Sequence, residues 1–197
     1  MNPVYRLEHP FWDINKLKTE AKEVKEYAHK IPYKYLGEPS GILLSLAIDH
    51  EKDYARIRNP YKSSGVEDIP MPALAKYRES FQEAYPIDWG DIDVGYEWID
   101  DFLPWHVDKG RRLSGHPVQC VINVLLEGSA IPVQFKIDEQ VKEYTYDAGL
   151  LKTTLEHQVD PKNEQRAMAK IRFKDKSFEE VIEGMESGKG RIFRHTN

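Results

Sequence analysis

Apolar positions change their period near residue 90. Upstream, Leu17, Ala21, Val24 and Ala28 stand 4, 3 and 4 apart among Lys and Glu. That spacing predicts an amphipathic helix over 15–29, closed by Pro32. The Ile- and Leu-rich stretch 40–48 predicts a strand, and 51–64 reads as a polar loop with Asn59-Pro60 turn chemistry. Leu74, Tyr77, Phe81 and Ala84 return to the helical period and predict a helix over 71–85, with Pro72 in its first turn and Pro86 closing it.

Downstream the segments are short, β-rich and separated by Gly, Pro, Asp or Asn: 94–102, 118–126, 131–137, 143–146, 149–155 and 166–173. Such a series predicts a sandwich or jelly-roll barrel. Two of these strands alternate clearly. In 166–173, Ala167, Ala169, Ile171 and Phe173 share one face, while Arg166, Met168, Lys170 and Arg172 share the other. In 118–126, Gln119, Val121, Asn123 and Leu125 oppose Val118, Cys120, Ile122 and Val124. The run Ser177-Phe178-Glu179-Glu180 is a capping box for a short helix through Met185, which Ser187-Gly188-Lys189-Gly190 is expected to break. We read a mainly β protein with supporting helices in one domain over 1–197. Residues 1–90 give mixed helical and strand support, 91–175 the β core, and 176–197 a C-terminal helix and tail.

Composition narrows the setting. The net charge of −5 argues against a nucleic-acid backbone as the main partner. The one cysteine, Cys120, lies in an apolar stretch and permits no intrachain disulfide, which fits a reducing compartment. No secretory signal is visible, and no segment approaches the roughly 18 apolar residues of a membrane helix. The expectation is a cytoplasmic protein without a membrane partner.

The candidate chemistry begins at His106-Val107-Asp108. Residues i and i+2 of an extended chain point to one side, so this pair can grip one ion. His157, on a strand-like run some way downstream, supplies a second imidazole. Two His and one carboxylate leave further metal positions open, the donor set of non-haem Fe(II) oxygen chemistry. Arg166 follows, and a guanidinium holds a carboxylate by two parallel hydrogen bonds. Each residue also has a plainer reading. A His-x-Asp arises readily by chance in this composition, and Arg166 could be a solvated surface side chain. Gln119 and Asn123 could line a co-substrate pocket or serve inter-strand hydrogen bonds. Trp105, beside His106, is a candidate substrate contact. Lys109, Arg111 and Arg112 form either a solvated loop or an attractor for acidic substrates, and His116 is more simply exposed.

Taken in order, His106-x-Asp108, His157 and Arg166 nine positions on resemble the Fe(II)/2-oxoglutarate-dependent oxygenases. Pro104-Trp105-His106-Val107-Asp108, the run Val121-Ile122-Asn123-Val124-Leu125-Leu126 and the segment 157–173 look most like the short aspartyl/asparaginyl β-hydroxylase-like and virus-encoded members. The resemblance spans 98–173. It implies a double-stranded β-helix (jelly-roll, cupin-like) fold, with iron held by the catalytic set His106, Asp108 and His157. It implies 2-oxoglutarate on that iron, with its far carboxylate on Arg166; Asn123 and Gln119 stay candidates for its pocket from the strand alternation alone. It also implies O2 as co-substrate, succinate and CO2 as products, and hydroxylation of an unactivated C–H bond. A peptide side chain is the first substrate class, a small metabolite the second. Some aspartyl hydroxylases lack the metal carboxylate, so Asp108 places this chain nearer the general pattern. Two other readings stand beside this one: a cupin-type metal enzyme that does not use 2-oxoglutarate, and a non-catalytic β-sandwich binding module.

Overall fold

The computed structural model describes residues 2–8, 10–35, 38–48, 52–57, 67–99, 103–108, 118–128, 132–159 and 165–192; for 29–35, 38–44, 57 and 189–192 it describes the backbone. Lys109, Arg111, Arg112 and His116, with His9, His50, His195 and the Asn59-Pro60 turn, lie outside the described residues.

In chain order the elements are β1 (Val4–Arg6), α1 (Ile14–Val24) running into a 3-10 turn (Lys25–Tyr27), β2 (His29–Tyr35), β3 (Glu38–Ile48), β4 (Tyr54–Ile57), β5 (Glu67–Pro70) and α2 (Pro72–Ala84). They continue with β6 (Ile92–Ile99), β7 (Leu103–His106), β8 (Cys120–Glu127), β9 (Val133–Ile137), β10 (Gln140–Tyr144), β11 (Ala148–Leu151), β12 (His157–Val159), β13 (Arg166–Phe173) and α3 (Phe178–Ile192). A major sheet has the order β1-β11-β8-β13-β6-β3-β2, and a minor sheet the order β10-β9-β12-β7. The pairings in both are antiparallel. This is the double-stranded β-helix expected from the sequence, with helices packed on one side.

Strand alternation divides the major sheet's side chains between two cores. Ala167, Ala169, Ile171 and Phe173 of β13, Ile92, Val94, Tyr96 and Trp98 of β6, and Cys120, Ile122, Val124 and Leu126 of β8 pack with α1, α2 and α3. The opposite face contributes Met168, Ile99, Leu151 and Val4 to a second core, which Val133, Phe135, Ile137, Leu103 and Val159 complete from around the minor sheet. Arg166, Lys170, Arg172, Asp93, Glu97 and Asn123 share the parity of this second face. They are therefore carried into the space between the sheets.

Several expectations are corrected. The helix over 15–29 stops at Val24 and tightens into the 3-10 turn, after which His29–Tyr35 extends and pairs with β3. Pro32 lies inside that strand rather than ending a helix. It is tolerated because β2 is the sheet edge, where one N–H is dispensable. The segment read as a polar loop holds β4, which pairs with β5. The strand expected over 149–155 ends at Leu151, so His157 opens β12 instead of closing that run. Glycines at 184 and 188 do not break α3. A Cβ on Gly184 would come within 2.5 Å of Ile87 and 2.8 Å of Trp89, and one on Gly188 within 3.1 Å of Tyr85. They are there to bring the helix against its neighbours.

α2 has no side-chain cap of its own, and Pro72 opens it. The cap comes from α1. Glu20, 7% exposed, accepts from the N–H of Ala73 at 2.7 Å and of Leu74 at 2.9 Å, and from the Tyr96 hydroxyl at 2.9 Å. A carboxylate at a helix N-terminus satisfies orphan donors and complements the dipole, so this buried charge ties both helices to β6.

Candidate active site

A β-bulge sets the first ligand. His157 pairs with His106 and Val159 with Leu103, so four residues of β7 oppose three of β12. The extra residue changes the strand's parity, and Leu103 and His106 both turn inward. It also leaves the Pro104 carbonyl 2.6 Å from His106 Nδ1. His157 has a matching arrangement, with Nδ1 2.9 Å from the Leu155 carbonyl. A carbonyl oxygen can only accept, so both Nδ1 atoms donate to it and Nε2 is the ring nitrogen that each imidazole turns the other way. The two rings lie 4.3 Å apart, with Phe135 behind His157 at 5.5 Å.

Asp108 lies just beyond β7. Its N–H donates to the Thr153 carbonyl at 3.0 Å, which pins it to the turn between β11 and β12. Its Oδ1 stands 3.7 Å from His106 Nε2. One donor atom from each of His106, Asp108 and His157 falls within 4.8 Å of the others. Burial drives the pKa of His157 down to about 4, against the opposing pull of Asp108. Imidazole is thereby kept in the neutral form that binds metals.

Arg166 is 3% exposed, so the solvated reading of this residue does not hold. Its Nε has no hydrogen-bond partner and its guanidinium no ion pair among the described residues. Asn123, 5% exposed, donates from Nδ2 to the Tyr146 hydroxyl at 2.9 Å, and its Oδ1 has no partner among the described residues. Arg166 acts electrostatically on that Tyr146 phenol. Gln119 is not brought to this end: its N–H bonds to the Phe173 carbonyl, whereas Arg166 begins the same strand at its other end. Trp105 does not face the pocket. It lies outside the minor sheet beneath Lys136 Nζ, 4.6 Å from the ring centroid, and Lys136 bonds onward to Glu156 at 2.7 Å.

Five residues beside the site went unassigned from the sequence: Tyr146, Thr153, Glu97, Lys170 and Arg172. Lys170 ion-pairs with Glu97, whose other oxygen is 3.4 Å from Arg172 Nη2; Arg172 Nη1 reaches Asp93 at 3.2 Å. Lys174 extends the ladder to Asp93 at 3.4 Å and Asp91 at 3.2 Å. Burial opposes ionisation of Glu97, but Lys170 and Arg172 outweigh it and hold its pKa below the ordinary value. Lys170 is pushed down by burial, with Glu97 only partly offsetting. The alternation of β13 already placed Lys170 and Arg172 on the face of Arg166. What it lacked was the knowledge that this face looks inward.

No protein-family model matches the chain, and no curated protein matches it. Solved structures do. A Pseudomonas putida prolyl-4-hydroxylase is 12% identical at a TM-score of 0.52, with 90% of this chain and 95% of that one covered. A Burkholderia pseudomallei oxidoreductase of the 2OG-Fe(II) oxygenase family is 10% identical at 0.53, over 89% and 86%. A Trichoplax adhaerens prolyl hydroxylase, solved with a hypoxia inducible factor peptide fragment, is 9% identical at 0.52, over 95% and 85%. At these identities the likeness establishes the fold. None of the three is described as an aspartyl/asparaginyl hydroxylase, so that narrower resemblance gains nothing from them.

Proposed function

We propose that this protein is an Fe(II)/2-oxoglutarate-dependent dioxygenase that hydroxylates an unactivated C–H bond, with a peptide side chain as its substrate. The observation that carries the reading is a pair of buried imidazoles, each with Nδ1 held by a backbone carbonyl, that bring donor atoms together with Asp108, within one barrel with a buried Arg166 that has no ion pair among the described residues.

The donor set fits iron: two neutral imidazoles and one carboxylate hold a divalent first-row metal and leave positions for a bidentate keto acid and O2. The charges fit as well. Among the described residues, Asp91, Asp93, Glu97 and Asp108 stand against Arg166, Lys170, Arg172 and Lys174, four negative and four positive. A divalent metal and a dianion together keep that sum unchanged. Lys170 and Arg172 are already neutralised by Glu97 and Asp93, which leaves Arg166 as the cation to receive the far carboxylate, with the Tyr146 hydroxyl near it. Bound iron and 2-oxoglutarate would together turn O2 into an oxidant for a C–H bond, with release of CO2 and succinate. The protein's part is to hold the imidazoles in one tautomer, pin Asp108, neutralise the distal carboxylate and exclude water with the apolar wall of Phe135, Leu103 and Met168. The peptide substrate rests on the prolyl hydroxylases among the fold's relatives, a likeness of fold. A cupin-type enzyme or a binding module gives no reason for Arg166 to be buried without an ion pair among the described residues.

The test is anaerobic binding of Fe(II) and 2-oxoglutarate, followed by an O2-dependent succinate assay across peptides and metabolites. Stoichiometric iron with succinate formation is expected. His106→Ala or Asp108→Ala should abolish turnover, because two remaining ligands hold iron poorly. A protein that binds iron and never consumes the keto acid overturns the reading.

A further inference from the structure

We propose that Glu97 is a positioning residue of the metal centre: by engaging Lys170 it keeps that ammonium off Asp108, so that the carboxylate stays open to a divalent cation. The inference rests on the metal site proposed above.

Lys170 and Glu97 stand on β13 and β6 as diagonal neighbours two residues out of register, with Lys170 opposite Gly95 and Met168 opposite Glu97. Both side chains enter the space between the sheets, 13% and 7% exposed. An ammonium buried this far needs a counter-ion. Among the described residues two carboxylates attract it: Glu97, which it contacts, and Asp108. Arg172 is held separately. It bonds Asp93, and its guanidinium crosses β6 above Gly95, where a Cβ would lie 2.9 Å from Nη1. The bare backbone at Gly95 is what lets Arg172 reach the second oxygen of Glu97. Each oxygen of Glu97 thus has its own cation, Oε1 for Lys170 and Oε2 for Arg172.

Take away the Glu97 charge and the two cations fare differently. Arg172 keeps Asp93. Lys170 is left buried with Asp108 as the other carboxylate that attracts it among the described residues, and it then competes with the metal for that carboxylate. Take away Lys170 instead and nothing competes. A network that merely held the barrel together would lose equally from either change.

The experiment titrates Co(II) alone into the metal-stripped full chain, without keto acid or substrate, and reads affinity by calorimetry and visible absorption. The wild type is expected to bind one equivalent. Glu97→Gln should weaken binding about 10- to 100-fold, the scale of losing a partner outside the ligand set. Lys170→Met should bind as tightly as wild type or tighter, and Glu97→Gln with Lys170→Met together should recover wild-type affinity. Unchanged binding in Glu97→Gln overturns the proposal, as does a double variant no tighter than Glu97→Gln, or Lys170→Met losing as much as Glu97→Gln. If Glu97→Gln does not fold, the other two variants decide, and weakened binding in either overturns it. A wild type that binds no Co(II) overturns the metal centre itself, whereas wild-type binding with an indifferent Glu97→Gln overturns the role of Glu97 alone.

Discussion

Two carbonyl oxygens, those of Pro104 and Leu155, determine what the paired imidazoles can do. They fix the tautomers, and so they fix which nitrogens meet across the gap. Arg166 is the other residue on which the proposed chemistry depends. Replacing it by Lys keeps the charge and the burial but loses the fork that grips a carboxylate twice. Arg166→Lys should raise the KM for 2-oxoglutarate about 10- to 100-fold, the worth of a charged hydrogen bond of about 1.5–3 kcal/mol, while Co(II) affinity stays at the wild-type value. Steady-state succinate formation at varied keto acid checks the first, and metal titration the second. The sequence named His106, Asp108, His157 and Arg166, because their spacing carries information that needs no tertiary contact. It could not tell a buried Arg166 from a solvated one, since alternation assigns a face without saying what the face looks at. Asn123 emerges near that site with an oxygen that has no partner among the described residues, and Gln119 at the far end of its sheet.

At the level of the element, strands with strict alternation were the most legible. The boundaries of β13 match the predicted 166–173 because every second residue obeys the pattern. Elements whose state depends on a distant partner were not. His29–Tyr35 follows helical residues without a strong stop signal, and its pairing with β3 decides it. The glycines of α3 resemble breakers until Ile87, Trp89 and Tyr85 are seen against them. The β7 bulge leaves no trace in hydrophobic periodicity. α2 borrows its N-terminal cap across 53 residues of sequence, a contact that local motif reading cannot reach. Glu20→Ala leaves the Ala73 and Leu74 N–H groups and the Tyr96 hydroxyl without that partner. It should cost about 1–3 kcal/mol, read as a lower denaturation midpoint with unchanged Co(II) affinity in the folded fraction.

At the level of the whole molecule, a mainly β fold with helical support was legible from residue patterning, and the sheet order emerged only from the structure. The His157 site also makes stability depend on pH. Its pKa falls on folding, from an ordinary 6.5 to about 4. Between those values the unfolded chain takes up a proton that the folded one refuses, so stability rises with pH. The contribution is whole above pH 6.5 and is lost as the pH falls toward 4. Denaturant midpoints of the metal-free protein should therefore drop across this window, and His157→Asn should remove that part of the slope.

The balance of charge within the barrel has a thermodynamic consequence. On the proposed function, loading the cation alone would leave a surplus of two positive charges in a low-dielectric space, and loading the keto acid alone the opposite surplus. Each ligand would then relieve the penalty of the other, and reciprocity requires the enhancement to be the same factor in both directions. Such heterotropic coupling would make the doubly occupied barrel the dominant species whenever either ligand is abundant and the other is within reach of its own dissociation constant.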